Sequence, residues 1–198
     1  MNGDFSAGNT GFLNNYSYTH PMVFQPDNYD VNTVGASFGD HTTGSGNMML
    51  VDGAADSNSI VWQEVLAVTP HTDYTFEAWG REVCCAAGPA ITLRFTANGV
   101  ELGTLSLDHG SASWQQFDTL WNPGAAPSVT LRVFDLQADN GVPGNDFALD
   151  DLSLRAVPEP REALLLAAGT AALALARRGV SAPARPPSPA GGGGAPRR

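Results

Sequence analysis

The chain has 198 residues, ordinary apolar content and a formal net charge of −10; that is enough for one domain with a core and excludes a wholly disordered or polytopic membrane chain. No lysine occurs. Residues 1–157 hold 18 Asp and Glu against 4 Arg (net −14), and residues 158–198 hold 2 Glu against 6 Arg (net +4). A body this acidic repels phosphate backbones, which excludes nucleic acid as a partner and suits neutral polar ligands such as sugars, or divalent cations.

The first forty-six residues are rich in Gly, Asn, Tyr and Thr. They predict an N-terminal strand near Asp4-Phe5, a short strand at 29–34 (YDVNTV), and long loops over one end of the domain. The opening Met-Asn-Gly-Asp-Phe has neither a basic nor an apolar leader segment, so the true start of an exported chain is expected upstream. From residue 47 a period-two pattern dominates. Strands are predicted at 47–52 (NMMLVD), 60–68 (IVWQEVLAV) and 73–79 (DYTFEAW), the last with Tyr74, Phe76 and Ala78 on one face and Thr75, Glu77 and Trp79 on the other. At 90–96, Ile91, Leu93 and Phe95 oppose Thr92, Arg94 and Thr96, and Asn98-Gly99 supplies a two-residue hairpin turn before a return strand at 100–107. Residues 114–121, 128–136 and 146–154 complete a set of about eight strands, the mark of an all-β sandwich or jelly roll. No segment before residue 157 has a helical period.

Catalytic motifs are lacking: there is no nucleophile elbow, phosphate loop or zinc spacing. His20, His41, His71 and His109 are scattered over loop-like segments and read as solvated. A glycosidase needs two carboxylates roughly 5–9.5 Å apart, and Asp150-Asp151 on a strand should point to opposite faces. The expectation is therefore a non-enzymatic protein. Two adjacent cysteines, Cys84 and Cys85, exclude a disulfide framework and a Cys-rich zinc site; they read either as a strained vicinal bridge or as two free thiols. Alternation puts Glu77, Trp79 and Arg81 on one face, with Arg94 outward on the following strand. An indole beside an acid and guanidinium groups suits a sugar ring and its hydroxyls, the bland reading being that Trp79 is core.

NGDFSAGNTGF at the start, GNDFALDDLSL near the end, and VWQEVLAVTPHTDYTFEAW followed by a hairpin and WQQF between them resemble galactose-binding-like jelly rolls of carbohydrate-binding modules. The resemblance covers about residues 2–155. It implies first and last strands side by side, and a structural calcium where they meet, with Asp4 and Asp150 as candidate ligands. Ser6 stands where such modules commonly carry a glutamate.

Beyond the body, Val157-Pro158-Glu159-Pro160, the apolar run 163–176 and Arg177-Arg178 resemble the PEP-CTERM sorting signal of Gram-negative bacteria. That resemblance implies an exosortase-type protease as partner, cleavage near the Pro-Glu-Pro, and export linked to exopolysaccharide or biofilm. Pro158 and Pro160 hold the segment extended. A 14-residue apolar run, helical, spans about 21 Å of a roughly 30 Å hydrocarbon core, which suits a transient transmembrane helix, and the arginine pair favours the cytoplasmic side. A Pro/Gly/Arg tail of 20 residues follows, longer than such signals usually carry. The expected organisation is thus a β-sandwich at 2–156, a sorting signal at 157–178 and a disordered tail at 179–198. The expected role is a surface or matrix protein of a Gram-negative bacterium that binds or decorates extracellular polysaccharide. The alternatives are a structural or adhesive surface protein without a small-ligand site, and a glycan-active enzyme.

Overall fold

The computed structural model describes residues 1–32, 37–84, 90–137 and 144–158. Ten strands run in chain order: β1 (Ser17–Tyr18), β2 (Asn28–Asn32), β3 (Met48–Asp52), β4 (Ser59–Ala67), β5 (Tyr74–Cys84), β6 (Ile91–Ala97), β7 (Val100–Leu107), β8 (Gln115–Trp121), β9 (Ser128–Asp135) and β10 (Asp146–Ala156). They form a six-stranded sheet, order β1-β2-β3-β10-β5-β8, and a four-stranded sheet, order β4-β9-β6-β7. From β3 onward the chain crosses between the sheets at nearly every connection, and only the β6–β7 hairpin stays within one. The result is the jelly-roll β-sandwich expected from the sequence. Met1–Val157 form one compact unit.

Alternation dictates the packing. Tyr74, Phe76 and Ala78 of β5 face inward, as do Ile91, Leu93 and Phe95 of β6 and Val129, Leu131 and Val133 of β9. Between the sheets the Phe95 and Phe117 rings stack with centroids 4.1 Å apart, and Phe76 meets both edge-on. Asn98 and Gly99 both take positive φ (50° and 79°), the two-residue turn that matches strand twist. Beyond it, the β6–β7 register shifts by one residue at Gly103, whose φ of +149° and tight approach to Phe117 leave no room for a side chain.

Two expectations are corrected. Asp4-Phe5 form no strand: residues 2–16 run as turns and irregular chain apart from one antiparallel bridge, Leu13 to Gln63, with Phe5 fully buried at positive φ, a conformation that breaks strand pairing. This segment still lies beside β10, because the Leu152 N–H donates to the Gly3 carbonyl (3.0 Å). The first paired strand is β1, which joins β2 in parallel. The predicted sorting signal, its apolar helix and the tail lie outside the described residues from Glu159 onward. Among the described residues no helix is long and apolar enough to cross a membrane.

The end of the sandwich is closed by a buried acid. Asp135, with no exposed surface, accepts from Tyr16 OH (3.3 Å), Ala54 N (3.4 Å), Asn145 Nδ2 (2.8 Å) and Gln137 N (2.9 Å). Burial pushes its carboxyl up to about 6 against these donors. Its role is to tie four chain segments together.

Candidate functional site

The six-stranded sheet presents Glu77, Trp79 and Arg81 on its outer side, as alternation requires. Residues 37–47 lie across that side. The His41 ring stacks on Trp79, centroids 3.8 Å apart and planes 18° from parallel, and meets Trp114 edge-on at 5.8 Å. Phe38 packs edge-on against Trp114, and the Arg81 guanidinium sits 3.7 Å over the Phe38 ring. Beneath them Met48, Leu50 and Ala148 are fully buried, a second small core outside the sandwich. The indole surface suited to a sugar ring is therefore occupied by the protein's own histidine. Glu77 accepts from Ser153 Oγ (3.3 Å) and stands opposite Asp118 across the strand pair.

A β-bulge anchors this loop. The β10–β5 register shifts between Asp150 and Ser153, with Asp151 at φ 49°. That extra residue overturns the expectation of opposite faces for Asp150 and Asp151, since both carboxylates reach the same loop. Asp150 accepts from His41 N (2.8 Å) and Thr42 N (3.2 Å), Asp151 lies 2.6 Å from His41 Nδ1, and Thr42 Oγ1 donates to Asp151 (2.7 Å). Burial, with the neighbouring Asp151 charge adding, raises Asp150 to about 6 despite its hydrogen bonds. Within the loop, Asp40 accepts from Gly46 N (2.7 Å) and Thr43 N (3.0 Å); burial alone would raise its carboxyl, but these bonds outweigh it and hold it below the ordinary value.

Two of the four histidines, His41 and His109, are less solvated than their loop setting predicts, with side chains 28% and 20% exposed, whereas His20 and His71 stay exposed. His20 lies 3.1 Å from Asp30, His41 2.6 Å from Asp151 and His109 2.5 Å from Glu82.

Of the candidate calcium ligands, Asp4 accepts from Ser6 N (3.2 Å) and Ser6 Oγ (2.9 Å) and lines a surface groove of about 330 Å³ with Asp151 and Arg155. Asp150 is fully buried and its oxygens are turned to the 41–42 backbone. Among the described residues no three His, Cys, Asp or Glu cluster as a metal site. Cys84 is disulfide-bonded. Cys85 lies outside the described residues.

Arg94 does not join Trp79. The chain crosses to the other sheet between β5 and β6, so Arg94 stands on the outer side of the four-stranded sheet. Strand register lays out that side as a grid of outward positions. One row runs Phe134 (β9), Arg94 (β6), Thr104 (β7); the next runs Gln63 (β4), Arg132 (β9), Thr96 (β6), Glu101 (β7). The Arg94 guanidinium lies 4.7 Å over the Phe134 ring, and Arg132 Nε donates to Gln63 Oε1 (2.5 Å). Two polar atoms at the floor of this grid are buried with no partner among the described residues, Arg94 Nε and Thr96 Oγ1. A buried donor or hydroxyl left unpaired costs about 1–3 kcal/mol. Both residues lie on β6, two positions apart. The sequence signal was present in Thr130, Arg132 and Phe134, which alternate against the core residues of 128–136.

No protein-family model and no curated protein matches the sequence. Solved structures do match in fold. The CBM22-1 xylan-binding domain from Paenibacillus barcinonensis Xyn10C aligns at TM-score 0.52 and 14% identity, over 78% of this chain and 91% of that one. A cyclase from Fischerella sp. TAU, in complex with 4-(1H-indol-3-yl)butan-2-one, aligns at 0.55 and 13%, over 79% and 95%. The Clostridium thermocellum xylanase 10B CBM22-1-GH10 modules, complexed with xylohexaose, align at 0.52 and 10%, over 78% of this chain and 28% of theirs. The class these likenesses define is the jelly-roll β-sandwich, a fold shared by a xylan-binding domain and a cyclase. Such a fold hosts both binding modules and enzymes, so the site has to carry the function.

Proposed function

We propose that this chain is a non-enzymatic polysaccharide-binding protein whose binding surface is the outer side of the four-stranded sheet. The observation that carries the reading is the pair of arginines, Arg94 and Arg132, on the outer side of the four-stranded sheet, neither within ion-pair distance of a described carboxylate. A sugar chain laid there would offer hydroxyl oxygens to the guanidinium N–H donors of Arg94 and Arg132. The likeness to a xylan-binding domain supports the reading. Among its described outward positions the only carboxylate in these rows is Glu101, whereas glycoside hydrolysis needs two.

The sequence of the tail supports export to the surface or biofilm matrix of a Gram-negative bacterium. There an exosortase-type protease would cut near Pro158-Glu159-Pro160 after brief anchoring by the apolar run, and polysaccharide would be the partner. Glycan-array binding of the full chain tests the central reading. Phe134→Ala should abolish binding to the preferred glycan while Trp79→Ala retains it. Loss in Trp79→Ala with Phe134→Ala unaffected would move the site to the opposite sheet.

A further inference from the structure

The charges on the four-stranded sheet define the kind of glycan, given the binding surface proposed above. Residues 1–157 contain 18 carboxylates and 4 arginines, so each guanidinium has many acids to pair with. Even so, among the described residues no arginine lies within ion-pair distance of a carboxylate; the four ion pairs there involve three histidines and the terminal amine. Two of the four arginines, Arg94 and Arg132, occupy diagonal positions on adjacent strands of this one surface, about 7–8 Å apart. Their remaining contacts are with neutral groups. Arg94 lies over the Phe134 ring, and Arg132 donates to Gln63 through Nε.

We infer that the ligand is an acidic polysaccharide, one bearing uronate carboxylates, gripped by Arg94 and Arg132 beside Phe134. A guanidinium meets a carboxylate with two parallel N–H donors, a stronger and more directional bond than either makes to a sugar hydroxyl. The acidity of the body opposes such a ligand at long range. At physiological ionic strength charges more than about 8 Å away are largely screened. The one outward carboxylate of these rows, Glu101, stands diagonal to Arg94 on the adjacent strand, about 7–8 Å away, and two strands from Arg132, so the two guanidiniums keep a local excess of one positive charge. The local guanidiniums therefore decide.

The test uses the full chain in 0.15 M salt (about physiological) with polygalacturonate and alginate, each beside its carboxyl-reduced neutral counterpart, and with neutral xylan. Calorimetry should show each acidic polymer bound at least about tenfold tighter than its reduced form. Arg94→Gln and Arg132→Gln should each remove most of that preference, about tenfold. Arg94→Lys, which keeps the charge without the fork, should fall between. Arg155→Gln changes the net charge equally at an exposed position of β10 on the other sheet, and should stay within about twofold. Equal or tighter binding of the neutral polymers would overturn the acidic specificity and leave the polysaccharide reading standing. Folded protein that binds none of the polymers would overturn both.

Discussion

Leu50→Ala is the most informative single perturbation of the fold, because it asks whether residues 37–47 are seated on the six-stranded sheet. Leu50 points away from the sandwich interior, yet it is fully buried in the small cluster with Met48 and Ala148 under Phe38 and Trp114. An outward residue of an open sheet would lose little on truncation. Removing three carbons from a dry site costs about 2.4 kcal/mol at about 0.8 kcal/mol per methylene. The cavity left behind raises the figure to about 3–5 kcal/mol. For a domain of this size the midpoint of thermal unfolding should fall by about 6–20 °C. Urea unfolding followed by tryptophan fluorescence would measure the loss directly, with Leu120→Ala as comparison; Leu120 is 71% exposed on β8 and should change stability by no more than about 0.5 kcal/mol. A cost for Leu50→Ala below about 1 kcal/mol would refute the argument. It would mean that the loop does not cover the sheet and that the Trp79 surface is open to ligand after all.

Acid dependence gives a second check. Burial raises Asp150 from 3.8 to about 6 in the folded chain, so folding favours its protonated form. That stabilisation is fully present below about pH 4 and is lost as pH rises through about 6. Across this window the wild type should lose about 3 kcal/mol relative to Asp150→Asn; urea midpoints of both proteins at several pH values would show it, and a pH-independent difference would contradict it. Gly103→Ala should cost about 1–3 kcal/mol, since a Cβ there would lie 2.9 Å from the Phe117 ring at a φ of +149°; an unchanged melting temperature would deny the bulge.

Much of the architecture was legible along the chain because a sandwich strand displays its packing as alternation. Tyr74, Phe76 and Ala78 could be placed inside, and Thr75, Glu77 and Trp79 outside, from the period-two pattern alone. Asn98-Gly99 announced its hairpin because so few residue pairs tolerate positive φ. The N-terminal turns, by contrast, carry no period, so the irregular path of residues 2–16 could not be read from them.

Three matters were left to tertiary structure, each for a definite reason. Alternation states which side of a strand a residue occupies but not which sheet the strand joins, and for that reason Glu77, Trp79 and Arg81 read as one site with Arg94, although the crossover after β5 puts Arg94 on the opposite surface. A single bulge residue reverses the parity of everything beyond it, and Asp151 at positive φ turned two carboxylates expected on opposite sides toward the same loop. Burial of an outward side chain depends on what a distant loop does, so nothing in the neighbourhood of Trp79 along the chain revealed that His41 would cover it. Local residue chemistry fixed the strands and their inner faces; long-range strand pairing and the path of the 37–47 loop decided which outer surface each outward side chain occupies and which of them is covered.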